Sequence, residues 1–183
     1  MPETRPEHGA PVAGAGAPLI ALRGVNLTPG AEPDDMVAIR LWVDRQRIIS
    51  TQGRRMLSVA DVVERLMAGR GPVNAAECLV ELVDRLVGRM SDTVDQFEDR
   101  VAELEDEVLE EGGAVMRSGL ANLRRQAITL RRYLAPQREA LGRLGSELAQ
   151  WLDPNGQLRL REVSDRLIRH IEDLDAVRER AAV

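Results

Sequence analysis

Two long stripes of apolar residues, each recurring every seven positions, constrain the fold of this chain more than any other feature. The first stripe interleaves two series four residues apart: Val83, Met90, Phe97 and Leu104, with Val87, Val94, Val101 and Val108. The second does the same: Met116, Leu123, Leu130, Leu144 and Trp151, with Leu120, Ala127, Leu134, Leu141 and Leu148. A seven-residue period keeps such side chains on one helical face, which predicts two long helices that pack along it.

Gly112-Gly113 separates the two stripes and predicts a tight connection, so residues 74–152 should form an antiparallel helical hairpin. The first arm, opened by the capping pair Asn74 and Glu77, would be roughly 57 Å long at about 1.5 Å per residue, and its far end should project. Pro136 lies inside the second stripe without changing its phase, which predicts either a kinked helix or two abutting helices.

The two arms carry opposite charges. Residues 91–111 hold ten acids and one base, Arg100, whereas residues 114–138 hold six arginines and no acid. We therefore expect the acidic arm to lie against the basic arm, although each exposed ion pair contributes only about 0–1 kcal/mol. The acidic run has two interpretations: a solvated helix face, or a surface that attracts divalent cations.

The residues before the hairpin read as a small sheet and a helix. We predict three strands, bounded by turn residues, at 18–23, 36–43 and 47–51. Ser58 to Asp61 resembles a capping box and predicts a helix with Val59, Val62, Val63 and Leu66 on one face. The fold class is α/β, a small β-sheet covered by helices with a long antiparallel hairpin and a C-terminal helix.

Composition excludes several function classes. All 25 basic residues are arginine, so the chain lacks the lysine that Schiff-base and P-loop chemistry require. One cysteine and two histidines cannot form an intrachain disulfide or a four-ligand Cys/His zinc site. A pI near 5.2 and 2% aromatic residues argue against nucleic-acid binding. No catalytic triad spacing or phosphate loop is present, so we predict no enzymatic activity.

The C-terminal residues predict a turn at Asp153 to Gly156 and a last helix from about Arg159. Its apolar stripe comprises Leu160, Val163, Leu167, Ile171, Leu174 and Val177. No stop signal follows, so we expect the helix to continue past Val183 in a longer parent chain. The predicted organisation is a flexible lead-in at 1–18, an α/β domain at 19–157 and the start of a long helix at 158–183.

Candidate site residues are few. His170 and Asp173 are three positions apart on the last helix, with Asp165 nearby, and could bind zinc if water or other subunits supplied further ligands. The alternative is a histidine at the surface or in an interface. Cys78, near a helix start, is either a thiolate favoured by the helix dipole or a small buried apolar residue.

Motifs along almost the whole chain resemble the cytoplasmic part of the CorA superfamily of metal-ion transporters, and within it the zinc-transporting ZntB branch. The most specific lie in the second arm and the C-terminal tail. The matching segments are Glu3–Pro6, Leu22–Leu27, Pro29-Gly30, Asp35–Val37, Arg40–Trp42, Gly71-Pro72, Leu104–Val108, Leu130–Leu141 and Glu172–Arg180.

The resemblance implies a homopentameric protein of the bacterial inner membrane with a cytoplasmic funnel. The last helix would begin the stalk that leads to membrane spans beyond this sequence. Those spans would be the chain's only link to the membrane. The chain would form the funnel wall and regulate or feed the path of a divalent cation. The resemblance to the ZntB branch implies that this cation is zinc. That cation would be a transported or regulatory ion rather than a cofactor. The alternative is a stand-alone helical-hairpin scaffold or protein-interaction domain.

Overall fold

The computed structural model describes residues 19–32, 34–111 and 114–182, in three strands and four helices. The predicted lead-in at 1–18, the Gly112-Gly113 connection and the chain end at Val183 lie outside these residues. The elements are β1 (Leu19–Val25), β2 (Met36–Val43), β3 (Ile48–Gln52), α1 (Leu57–Met67), α2 (Ala75–Glu111), α3 (Ala114–Glu147) and α4 (Pro154–Arg180).

The sheet is antiparallel with the strand order β1-β2-β3, and its strands lie within two residues of their predicted bounds. Its inner face is apolar and packs on α2, with Ile20, Leu22, Ile39 and Leu41 buried. On the outer face Leu19 pairs with Trp42, which pairs in turn with Ile49. Alternation along β1 and β2 thus gives the sheet one buried and one open face.

Helix α1 differs from its prediction at both its start and its packing. It begins at Leu57, and its N-cap is Met56, whose side chain makes no capping hydrogen bond. Ser58 is buried inside the first turn instead of capping the helix. Val63 and Leu66 are about half exposed, because α1 packs mainly on α2 and leaves the covering of the sheet to α2.

The capping pair that opens α2 is formed as predicted. The Glu77 N–H donates to Asn74 Oδ1 at 2.9 Å, and Asn74 Nδ2 donates back to Glu77 Oε1 at 2.7 Å. The first bond satisfies a helix-terminal N–H that would otherwise lack a partner, and the second joins the two capping side chains. From this cap α2 runs 37 residues, so one helix joins the sheet to the distal end of the molecule.

Helices α2, α3 and α4 form a three-helix bundle, in which α4 lies along both arms of the predicted hairpin. In the first stripe every residue from Val83 to Leu104 is buried, and in the second only Met116 and Trp151 retain partial exposure. Helix α3 continues through Pro136 as a single helix. No described helix is long and apolar enough to cross a membrane.

Helices α2 and α3, which carry the acidic and basic arms, pack against each other as expected, but no ion pair joins the two arms among the side chains that the structure describes. The acidic arm pairs through Glu105 with Arg180 of α4, and the basic arm pairs through Arg131 with Asp175 of α4 at 2.7 Å. Helix α4 packs against both arms and supplies the nearer partners. Exposed ion pairs are too weak to override this packing, which the apolar stripes determine.

Helix α4 begins at Pro154, five residues before the predicted start. Asp153 is its N-cap, and its Oδ1 accepts a hydrogen bond from the Gly156 N–H at 2.7 Å. Proline fits the first helical position because no intrahelical N–H is needed there. The Asp-Pro-Asn-Gly sequence interpreted as a turn is therefore the first turn of the helix.

Asp35, just before β2, should make part of the stability depend on acid pH. Hydrogen bonds from Arg54 and Asn26 lower the pKa of its carboxyl from 3.8 to about 2. A lowered folded-state pKa stabilises the fold above pH 3.8, and this contribution is lost as the pH falls towards 2. Urea unfolding midpoints at pH 5 and pH 2.5 should therefore differ less in Asp35→Asn than in the wild type; equal differences would contradict the assignment.

Candidate functional site

An acidic cluster, defined here by Asp95 and Glu98 of α2 and Asp173 of α4, lies where these two helices pack together. Partial desolvation raises the pKa of the exposed Glu98, and the negative charges of Asp173 and Asp95 add to the effect. The positive charge of Arg180 opposes this shift. The carboxylates therefore lie close enough to repel one another.

His170 lies between α4 and α2 and is only 6% exposed. Its Nε2 is 3.2 Å from Ser91 Oγ on α2. Burial lowers the pKa of His170, although the charges of Asp173 and Asp95 favour the protonated ring. The histidine is therefore buried between two helices of the same chain.

The structure brings only two of the three candidate metal ligands together. Asp173 lies beside His170, whereas the exposed Asp165 lines a cleft between α3 and α4. Five residues separate Asp165 from His170, which turns their side chains about 140° apart around the helix. No group of three or more His, Cys, Asp or Glu residues that could hold a metal occurs in the part of the chain that is described. A metal site at His170, Asp173 and Asp165 stays a prediction.

Two arginines of α4 form ion pairs with α2 near His170. Arg166 Nη1 lies 3.0 Å from Asp84 Oδ1, and Arg159 Nη2 lies 3.6 Å from Asp84 Oδ2. All three side chains are about one-third exposed, so the ion pairs are partly screened. Together with the Glu105–Arg180 pair they connect α4 to α2 over most of its length.

A second ionic cluster, which sequence reasoning missed, joins α1 to α2. The Glu81 side chain is 8% exposed, and its Oε1 lies 2.7 Å from Arg65 Nε and 3.1 Å from Arg85 Nη2. Asp61 lies 2.6 Å from Arg89. The four-residue spacing of Glu81 and Arg85 could have predicted their ion pair within α2. The ion pairs between α1 and α2 depend on how these two helices pack, which local sequence does not show.

Cys78 has the properties expected of a small apolar residue packed on the core, not those of a thiolate. It is half-buried against the core, and burial raises the pKa of its thiol, with the charge of Glu81 adding to the shift. The thiol is therefore protonated near neutral pH, so the helix dipole does not produce a thiolate here.

His170 should make the protein less stable as the medium becomes mildly acidic. Its folded-state pKa lies below 6.5, so the unfolded chain binds a proton first as the pH falls through that value. Stability should then decline from pH 7.5 towards pH 5.5, and His170→Gln should reduce the slope. Urea unfolding at several pH values measures this, and an unchanged slope in the variant would contradict it.

A family model for the "CorA-like Mg2+ transporter protein" matches residues 5–183. The chain belongs to the CorA family. The "Zinc transport protein ZntB" of Yersinia enterocolitica is 41% identical over 165 residues, which cover 90% of this chain and 50% of that protein. The "Divalent cation transporter CmaX" of Pseudomonas aeruginosa is 39% identical over 177 residues, covering 93% of this chain and 52% of CmaX.

Solved CorA-family structures have the same fold. The structure of full-length CmaX gives a TM-score of 0.83 at 38% identity, covering 92% of this chain and 52% of that one. The ZntB cytoplasmic domain from Vibrio parahaemolyticus gives 0.78 at 21% identity, covering 90% of this chain and 64% of that one. The predicted α/β fold and the ZntB-like resemblance are confirmed, and the chain spans about half the length of these curated relatives.

Proposed function

We propose that this chain is the cytoplasmic part of a divalent-cation transporter, with zinc as the transported ion. The observation that carries the proposal is the 41% identity to a zinc transport protein over 90% of the chain. The matching fold of a ZntB cytoplasmic domain supports it. Because the named relatives are transporters, an enzymatic role has no support from them.

In this proposal the bundle forms the wall of a cytoplasmic funnel and couples the ion path to the helix that leads towards the membrane. Helix α4 is tied to α2 by Asp84 and Glu105 and to α3 by Asp175. A displacement of α4 must break these ion pairs or move the other two helices with it. Cations attracted to the acidic cluster between α2 and α4 would influence that packing.

We further propose that the parent protein is a homopentamer at the cytoplasmic face of the bacterial inner membrane. The outer face of α4 carries both signs of charge and remains exposed, at Arg161, Glu162, Arg169 and Glu172. Such a mixed face suits a neighbouring copy of the same helix better than it suits a membrane surface. Sedimentation of the chain at high concentration tests whether this part self-associates without membrane spans.

The proposed metal ligands His170, Asp173 and Asp165 have a separate test. Zinc binding is measured by calorimetry for the wild type and for His170→Ala, with Glu172→Ala as an exposed neighbour on the same helix. The proposal expects a loss of zinc affinity in His170→Ala alone. Equal affinity in all three proteins removes His170 from the set of ligands.

The gene beyond codon 183 distinguishes the transporter from the scaffold alternative. A reading frame that continues into two apolar spans, with Gly-Met-Asn or Gly-Val-Asn after the first, supports the transporter. A stop codon at that point supports a stand-alone scaffold and contradicts the proposed transport function.

A further inference from the structure

Three arginines surround one cleft between the sheet and α3. Arg23 of β1, Arg40 of β2 and Arg132 of α3 line it, together with Tyr133 and Gln137. None of the three guanidinium groups takes part in an ion pair or a side-chain hydrogen bond among the residues that the structure describes. The cleft therefore carries three positive charges without a described counter-charge.

The sheet register places two of these charges on one face. Arg23 pairs with Ala38, and Arg40 is two residues further along β2, so the two arginines are diagonal neighbours on the open face. Like charges in neighbouring cross-strand positions repel each other. An anion bound between them would convert this repulsion into attraction.

Tyr133 fixes the arrangement from the side of α3. The Arg23 guanidinium carbon lies 4.6 Å from the centre of its ring, and that of Arg132 lies 5.4 Å from it. Stacking on an aromatic face limits the rotamers of an arginine while its N–H groups remain able to donate to oxyanions. Both groups are therefore pre-organised around the same ring.

Gln137 fixes the position of α3 against the sheet edge. This side chain is 5% exposed, and its Oε1 accepts a hydrogen bond from the Arg23 N–H at 2.8 Å. Its Nε2 lies 3.4 Å from the Tyr133 carbonyl oxygen. A buried side chain thus ties β1 to α3 beside the cleft, whose lining residues lie on strands and a helix.

We propose that this cleft binds a phosphate group, free or carried by a small molecule, through Arg23, Arg40 and Arg132. Planar guanidinium forks match the oxygens of phosphate, and three of them offset its double negative charge. The cleft has a volume of about 200 Å³, below the range of about 300–1,000 Å³ typical of drug-sized ligands. It suits a phosphate with a short organic group better than a nucleotide.

Calorimetric titration of the whole 183-residue chain at low ionic strength tests the proposal. The probes are inorganic phosphate, glycerol 3-phosphate, sodium acetate and sodium chloride, in a buffer without divalent cations. We expect saturable binding of the two phosphates, weakened by added salt, and at least tenfold weaker binding of chloride and acetate. Absence of saturable phosphate binding, or chloride binding of equal strength, overturns the proposal.

Two double variants distinguish the loss of the cleft arginines from a general loss of positive charge. Arg40→Gln with Arg132→Gln removes two exposed arginines of the cleft. Arg45→Gln with Arg143→Gln removes two exposed arginines outside it, one from the strand connection and one from α3. We expect at least tenfold weaker phosphate binding in the first variant and less than a twofold change in the second. Equal losses in both variants overturn the proposal.

Binding to lipid vesicles tests whether the phosphate group belongs to a lipid or to a soluble molecule. Cosedimentation with phosphatidylglycerol vesicles, compared with phosphatidylcholine vesicles, shows whether a lipid headgroup occupies the cleft. Binding of glycerol 3-phosphate without binding to anionic vesicles assigns a soluble ligand, and vesicle binding lost only in the cleft variant assigns a lipid. Since no divalent cation is present, these results do not depend on the proposed transport function.

Discussion

Phe97→Ala should lower the free energy of unfolding by about 3–5 kcal/mol, the usual cost of deleting a buried aromatic side chain. Phe97 is the only phenylalanine in the chain, is 2% exposed and lies in the buried stripe of α2. Alanine would leave a cavity in the bundle that surrounding side chains fill only in part. For a domain with a stability of about 5–15 kcal/mol, this is a large fraction of the total.

Urea unfolding followed by circular dichroism measures the effect, with Val115→Ala as the control. Val115 lies on α3 and is 77% exposed, so its truncation should change stability by no more than about 0.5 kcal/mol. A Phe97→Ala loss as small as that of the control would mean that the α2 stripe is not the core of the bundle.

Ile39→Ala should destabilise the protein by about 2–5 kcal/mol because it leaves a cavity at the buried face of the sheet. Ile39 lies at the centre of β2 with no exposed surface. Because α2 continues from the sheet into the bundle, the loss should lower the stability of the whole unit. The sheet and the bundle should then unfold in one transition.

Ile49→Ala is a matched control for this variant, since it removes the same atoms from the neighbouring strand. Ile49 is 51% exposed on the open face of the sheet, and its truncation should cost less than about 1 kcal/mol. Similar losses at both positions, or an early transition confined to the sheet in Ile39→Ala, would contradict the packing described here.

The apolar periodicity predicted the long helices well because burial of a stripe is the largest favourable contribution to their packing. The same periodicity placed Leu160 to Val177 on one face of the last helix. His170 falls among these residues, next to Ile171 and three positions after Leu167, which was a signal that its ring would be buried.

Other features depended on contacts between distant residues and could not be derived from local patterns. The opposite charges of the two arms predicted their pairing, but α4 provides the observed partners Arg180 and Asp175. The start of α4 was misplaced because the Asp153-Pro154 sequence is typical of both a turn and a helix N-terminus. The cleft around Tyr133 combines two strands and a helix that are about a hundred residues apart in sequence.

Zinc flux through the complete gene product tests the central claim most directly. The reading frame that contains this chain is expressed with whatever follows codon 183, purified and reconstituted in liposomes, and the entry of radioactive zinc is followed. The account predicts saturable zinc entry above that of protein-free liposomes. A product that inserts into the liposomes but admits neither zinc nor another divalent cation would contradict it.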